Sequence, residues 1–102
     1  MFVHTVYFWL NENAPKDAQA KLIADCHTYL AKIPGVKLMY VGAPAMTPRD
    51  VVDNSYSVGL TVTYADVAGH DVYQVHDLHE EFIARNKAHW KKVQVYDFIA
   101  KQ

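Results

Sequence analysis

The chain has 102 residues, a single cysteine and a formal net charge of −1 at neutral pH, with 51% apolar and 21% charged residues. That length supports one domain, 1–102, with a real core, and the scattered near-zero charge excludes a nucleic-acid footprint or a polybasic membrane surface. One thiol excludes an internal disulfide framework and fits a reducing compartment. The opening residues carry no basic leader and no span-length apolar run, so a cytoplasmic location is expected.

Residues 2–10 read as a strand, rich in β-branched and aromatic types and ended by Asn11-Glu12-Asn13. One face carries Phe2, His4, Val6, Phe8 and Leu10, the other Val3, Thr5, Tyr7 and Trp9. Both faces are largely apolar, so the sheet containing this strand needs cover on both sides. Pro15 suits the first turn of a helix running to Lys32 or Ile33 and halted by Pro34-Gly35. Its inward stripe is Leu22, Ile23, Cys26, Tyr29, Leu30 and Ile33; Lys16, Asp17, Gln19, Lys21 and Asp25 are expected to face water. Cys26 lies within the stripe and reads as packing, not as a nucleophile.

A second strand spans residues 36–41, followed by a long connection over 42–54 that could serve as a lid or as plain surface. Residues 55–64 form the third strand, with Tyr56, Val58, Leu60, Val62 and Tyr64 on one side. Ser57, Gly59, Thr61 and Thr63 on the other side are small enough to leave space beside them. Asp66 is placed to cap a helix over 67–76, and Asp77 with Glu80 forms a capping box that restarts it to about Lys87. The restarted segment buries Leu78, Phe82 and Ile83, and residues 93–99 make the last strand. The order β-α-β-β-α-β predicts a ferredoxin-like α+β protomer: a four-stranded antiparallel sheet with helices on one face. The bare face then calls for a partner, and a sheet-to-sheet homodimer is the expectation.

Chemistry concentrates in Tyr73-Gln74-Val75-His76-Asp77-Leu78-His79, with His70 just before it. On a straight helix Tyr73 and His79 stand about 120° apart and share no pocket; a break at Asp77 removes that obstacle. His79 then sits at the second helical position, where free backbone N–H groups favour a neutral imidazole. Asp77, Glu80 and Glu81 oppose this, leaving the net shift open. A tyrosine hydroxyl that holds a carbonyl oxygen, beside an imidazole that removes an acidic proton, is one economical site for enolisation or aldol chemistry. The bland alternative is a pair of ordinary surface histidines. His4 is either a satisfied core histidine or part of the same site, and His27, Tyr29 and Phe82 are candidates to line the space. His70, His76 and His79 with nearby carboxylates form a weaker metal-ligand reading, because no HExxH, clustered cysteine or second histidine pair supports it. No metal or other cofactor is expected, and no phosphate loop or nucleophile elbow occurs.

Taken together, His4, Ile33-Pro34-Gly35-Val36, Val41-Gly42, Tyr73-x-x-His76-x-x-His79-x-x-Phe82 and Val95-Tyr96-Asp97 resemble the stress-responsive A/B barrel (Dabb) family of dimeric α+β barrels. The resemblance covers nearly the whole chain. It implies the ferredoxin-like protomer and a face-to-face dimer. The family holds both stress proteins without established catalysis and plant polyketide cyclases similar to olivetolic acid cyclase. By position, Tyr73 and His79 match the cyclases' acting pair, His4 a cavity histidine on the first strand, and His76 the first histidine of the motif. Asp77 stands where the family often has proline, a departure on which the heading of His79 depends. The expected function is therefore a cofactor-independent cyclase or aldol-type lyase acting on a small apolar carbonyl compound. The alternative is a non-catalytic, ligand-binding or protective protein.

Overall fold

Side-chain alternation along the first strand decides which way the chain folds inward. In the computed structural model, which describes residues 1–101, β1 (Phe2–Leu10) buries Phe2, His4, Val6 and Phe8, while Val3, Thr5, Tyr7 and Trp9 stay partly exposed. β3 (Val58–Tyr64) runs antiparallel beside it and sets Tyr64, Val62, Leu60 and Val58 opposite those four core residues. β4 (Trp90–Ile99) pairs with the other edge of β1, and β2 (Leu38–Gly42) with the far edge of β3, giving the order β2-β3-β1-β4.

Three helices cover one face of this sheet: α1 (Ala18–Thr28), α2 (Val67–Val75) and α3 (Asp77–Asn86). The core lies between the two layers, where Leu22, Cys26, Leu30 and Ile33 meet Val58, Leu60, Val62, Tyr73 and Phe82. Each fully buried aliphatic side chain there is worth about 1.5–3 kcal/mol of hydrophobic transfer. Cys26 belongs to this packing, and burial pushes its thiol up to about 12, so no thiolate is available for chemistry. At Gly69 the approach of α2 to the sheet is tight: a Cβ there would lie 3.2 Å from the Tyr64 Cβ. No helix among the described residues is long and apolar enough to cross a membrane.

The fold is the expected ferredoxin-like one, with local differences that have physical causes. α1 begins at Ala18 because the preceding residues close a turn, Ala18 N–H donating to Pro15 C=O at 3.0 Å. It gives way after Thr28 to a single 3-10 turn, Leu30–Lys32, and Gly35 adopts φ +94°, a conformation that favours glycine. Asp25 does not face water. It is buried, and its Oδ2 accepts hydrogen bonds from Arg85 Nε at 3.1 Å, Asn86 Nδ2 at 3.0 Å and Lys21 Nζ at 3.3 Å, tying α1 to α3. Burial alone would raise the Asp25 carboxyl, but these donors together hold it below its ordinary value.

Tyr56 lies outside the third strand and on the other side of the sheet. The Ser57 hydroxyl accepts from Leu10 N–H at 3.1 Å as the ladder ends, and the Tyr56 ring packs 5.0 Å from that of Tyr7. The small residues Gly59, Thr61 and Thr63 alternate away from the helices, so the space expected beside them opens on the bare face and not beside His4. That bare face also carries Leu38, Tyr40, Tyr96 and Phe98, all at least half exposed. A broad hollow of about 380 Å³ crosses it, between Tyr7, Trp9, Tyr56, Lys92 and Tyr96. The long connection reaches this side too, where its Asp53 lines the hollow and Trp9 Nε1 donates to the adjoining Ser55 Oγ at 3.0 Å; none of it lines the space between sheet and helices. It is no lid for that space.

A candidate acid-base site between sheet and helices

The break between α2 and α3 creates the site. His76 takes extended backbone angles, φ −70° and ψ 146°, so the helix stops after Val75 and restarts at Asp77. Asp66 caps α2 as expected, its Oδ1 accepting from Gly69 N–H at 3.0 Å. The cap of α3 is a correction. His76, not Asp77, supplies it, its Nδ1 accepting from Leu78 N–H at 3.1 Å. His79 is accordingly the third helical residue, one later than expected, and its N–H donates to His76 C=O at 3.0 Å. A proline after His76 is not needed for this turn, because the extended His76 and its own side chain provide it.

Re-aimed in this way, His79 meets Tyr73: their ring centroids are 4.9 Å apart in an edge-to-face arrangement. His4 joins them from β1, 6.0 Å from the Tyr73 ring. All three line a cavity of about 140 Å³ whose other walls include Leu60, Phe82, Trp90, Val93 and Val95. Val95, on the helix-facing side of β4 but beyond the helices' cover, is 41% exposed, which puts the mouth along that strand. The volume lies below the usual range for ligand pockets, so the cavity accepts a small molecule or the reacting end of a longer one.

Burial, reinforced by the nearby His4 and His70, lowers the His79 pKa and keeps the imidazole neutral at neutral pH. Its Nδ1 is buried without a hydrogen-bond partner. Burial pushes the Tyr73 hydroxyl well above its ordinary pKa, so it stays protonated and able to donate. Tyr64, 5.1 Å from Tyr73 by ring centroids, is raised by burial and by the facing Tyr73 phenol, and its buried hydroxyl makes no hydrogen bond of ordinary geometry. His4 donates from Nδ1 to Asp97 Oδ1 at 2.5 Å. Desolvation lowers its pKa although Asp97 opposes the shift, so the ring holds a lone pair on Nε2.

Of the residues expected at the site, His79, Tyr73, His4 and Phe82 meet in the cavity. The remaining three lie elsewhere. His76 is the cap of α3. Tyr29 packs at the core margin under the Arg85 guanidinium, 5.2 Å away. His27 is exposed on α1, outside the buried stripe. Sequence reasoning missed Asp97 as a partner for His4. The signal was present: an acid in the otherwise apolar alternation Val93, Val95, Ile99, on the strand that this topology places beside β1. His4, His70 and Asp97 each offer a metal-ligating atom, and these atoms lie within 4.8 Å of one another.

A four-stranded antiparallel sheet under helices, in this element order, defines a ferredoxin-like α+β protein. The chain belongs to the stress responsive A/B barrel domain (Dabb) family, whose profile matches residues 2–100. It is similar to a Dabb protein from Mesorhizobium loti at 24% identity and TM-score 0.79, the match covering 99% of this chain and 97% of that one. A dimeric ferredoxin-like protein of unknown function from Thermobifida fusca shares 19% identity at TM-score 0.82, over 97% and 90% of the two chains. Hydroxynitrile lyase from Passiflora edulis shares 18% identity at TM-score 0.82, over 99% and 94%. No curated protein matches the sequence.

Proposed function

We propose that the chain is a cofactor-independent lyase or cyclase acting on a small, largely apolar carbonyl compound, with His79 as general base and Tyr73 as the donor that holds the carbonyl oxygen. The observation that carries this is the meeting of a protonated phenol and a neutral imidazole with an unpaired nitrogen, 4.9 Å apart by ring centroids, in one apolar cavity. In the condensing direction, His79 removes a proton from the carbon next to the carbonyl while Tyr73 donates a hydrogen bond to the developing enolate oxygen. The enolate carbon bonds to a second carbonyl carbon, and the new alkoxide takes the proton back from the imidazolium. Cleavage runs the same steps in reverse. His4, oriented by Asp97, presents a second neutral imidazole to the same cavity. The similarity to a hydroxynitrile lyase supports the lyase variant, and the cyclising variant rests on the family resemblance read from Tyr73 and His79.

The working unit in this reading is a homodimer joined through the bare sheet face. The exposed Leu38, Tyr40, Tyr96 and Phe98 support that interface, as does the dimeric description of the Thermobifida fusca protein. Sedimentation of a monomer at micromolar concentration would reject it.

The catalytic reading is tested by proton exchange. Small ketones and β-diketones are incubated in deuterated buffer, and loss of the α-proton signal is followed by NMR. The expected result is protein-dependent exchange, reduced about 10²–10⁴-fold in His79→Ala and about 10²-fold in Tyr73→Phe. Saturable binding without exchange would favour a ligand-binding role instead.

A further inference from the structure

We propose that His4, His70 and Asp97 form a binding site for one divalent transition-metal ion of the zinc class per protomer. This goes beyond the acid-base reading of Tyr73 and His79 and does not rest on it. Three observations converge. First, the donors come from three separate, rigidly held elements. His4 and Asp97 are cross-strand partners on β1 and β4, and His70 stands on α2 with its ring stacked on Phe2 at 4.4 Å. Second, their ligating atoms already lie within 4.8 Å of one another. Tetrahedral coordination with bonds of about 2.0–2.1 Å spaces ligands by about 3.3 Å, and a bound ion would take the place of the proton now shared by His4 Nδ1 and Asp97 Oδ1.

Third, one outer partner, the Asp71 carboxylate, is of the kind that fixes a metal-binding imidazole. The Asp71 carboxylate lies 3.3 Å from His70 Nδ1, and the Gln74 amide nitrogen lies 3.2 Å from His70 Nε2. With Asp71 accepting from Nδ1–H, Nε2 is left with a lone pair, and the Gln74 amide that meets it there would give way to a bound ion. Two imidazoles and one carboxylate suit zinc, cobalt or nickel better than magnesium or calcium. Three protein ligands leave a fourth position, and His4 borders the cavity. These are not the histidines that sequence spacing would group: His76 caps a helix, and His79 lies outside the set.

The test uses full-length protein freed of metal by chelator. Zinc is titrated calorimetrically and cobalt by its visible absorption, in wild type, His70→Gln, Asp97→Asn and the surface control His27→Gln. The expected result is one equivalent per protomer and an intense four-coordinate cobalt spectrum. Affinity should fall at least tenfold in His70→Gln and Asp97→Asn and stay unchanged in His27→Gln. A second measurement needs no variant: imidazole ¹⁵N resonances of His4 and His70 should shift at one equivalent of zinc, with those of His27 and His89 unmoved. Absence of saturable binding, or binding indifferent to His70 and Asp97, overturns the proposal. Neither readout involves turnover, so its failure leaves the proton-exchange experiment unaffected, and the converse holds.

Discussion

Two polar clusters, one joining α1 to α3 and the other between the sheet and the helices, are built on opposite terms. Around Asp25, the carboxylate receives donors from Arg85, Asn86 and Lys21, and Asn86 also donates to Phe82 C=O at 3.0 Å. Around Tyr73, the His79 Nδ1 is buried with nothing to bond, and the Tyr64 hydroxyl faces only the Tyr73 phenol without a hydrogen bond of ordinary geometry. A satisfied polar cluster locks two helices; an unsatisfied one carries a free-energy cost that a bound ligand can relieve. The difference separates what holds the fold from what the fold holds ready.

The largest effect expected from breaking this contrast is on the first cluster. Asp25→Ala removes an acceptor from the buried Asn86 amide, while the exposed Arg85 returns to water, and should lower stability by about 1–2 kcal/mol, read as a drop in the urea midpoint. His79→Ala in the second cluster removes an orphaned group along with its packing and should change stability by less than about 1 kcal/mol while cutting exchange activity about 10²–10⁴-fold. Comparable losses from the two substitutions would erase the distinction.

Acid titration sharpens the same comparison. The His79 imidazole has a lowered pKa in the folded state, so acidification below the ordinary value of 6.5 costs stability down to the depressed folded value and then no further. Around it, His4 and His70 add to the disfavour of the charged form. Asp25 is also lowered, so its contribution is intact above the ordinary carboxylate value of 3.8 and is lost as pH falls through its folded value below that. Two separate acid steps are expected in stability against pH: His79→Gln should diminish the upper one and Asp25→Asn the lower. Exchange activity should follow the upper step, falling as His79 is protonated. A single step common to both variants would mean that the clusters titrate as one.

How much of this the sequence discloses depends on the range of the interaction. Alternation of Phe2, His4, Val6 and Phe8 against Val58, Leu60, Val62 and Tyr64 is a period-two signal within each strand, and the helix break was visible in the local pattern around Asp77. The Asp25 lock was not. Asp25 borders the apolar stripe as a charged residue that by itself belongs in water, and only the approach of α3, some 60 residues later, gives it buried partners. His76 defeated the local reading for a different reason: histidine is an uncommon cap, so Asp77 was the better guess on propensity. His27 follows Cys26 at the edge of the buried stripe, and the structure leaves that edge of α1 in water.

The smallest predicted effect discriminates most finely, because it concerns one atom. Tyr64 is fully buried, pairs across the sheet with Phe2, lies 5.1 Å by ring centroids from Tyr73, and holds a hydroxyl without a hydrogen bond of ordinary geometry. Tyr64→Phe keeps the ring and deletes only that oxygen, so stability should be unchanged or rise by up to about 1 kcal/mol in urea unfolding. A loss greater than 1 kcal/mol would show the hydroxyl to be bonded, through an ordered water or the Tyr73 phenol. The second cluster would then be as saturated as the first, and an unsatisfied site waiting for a ligand would no longer describe it.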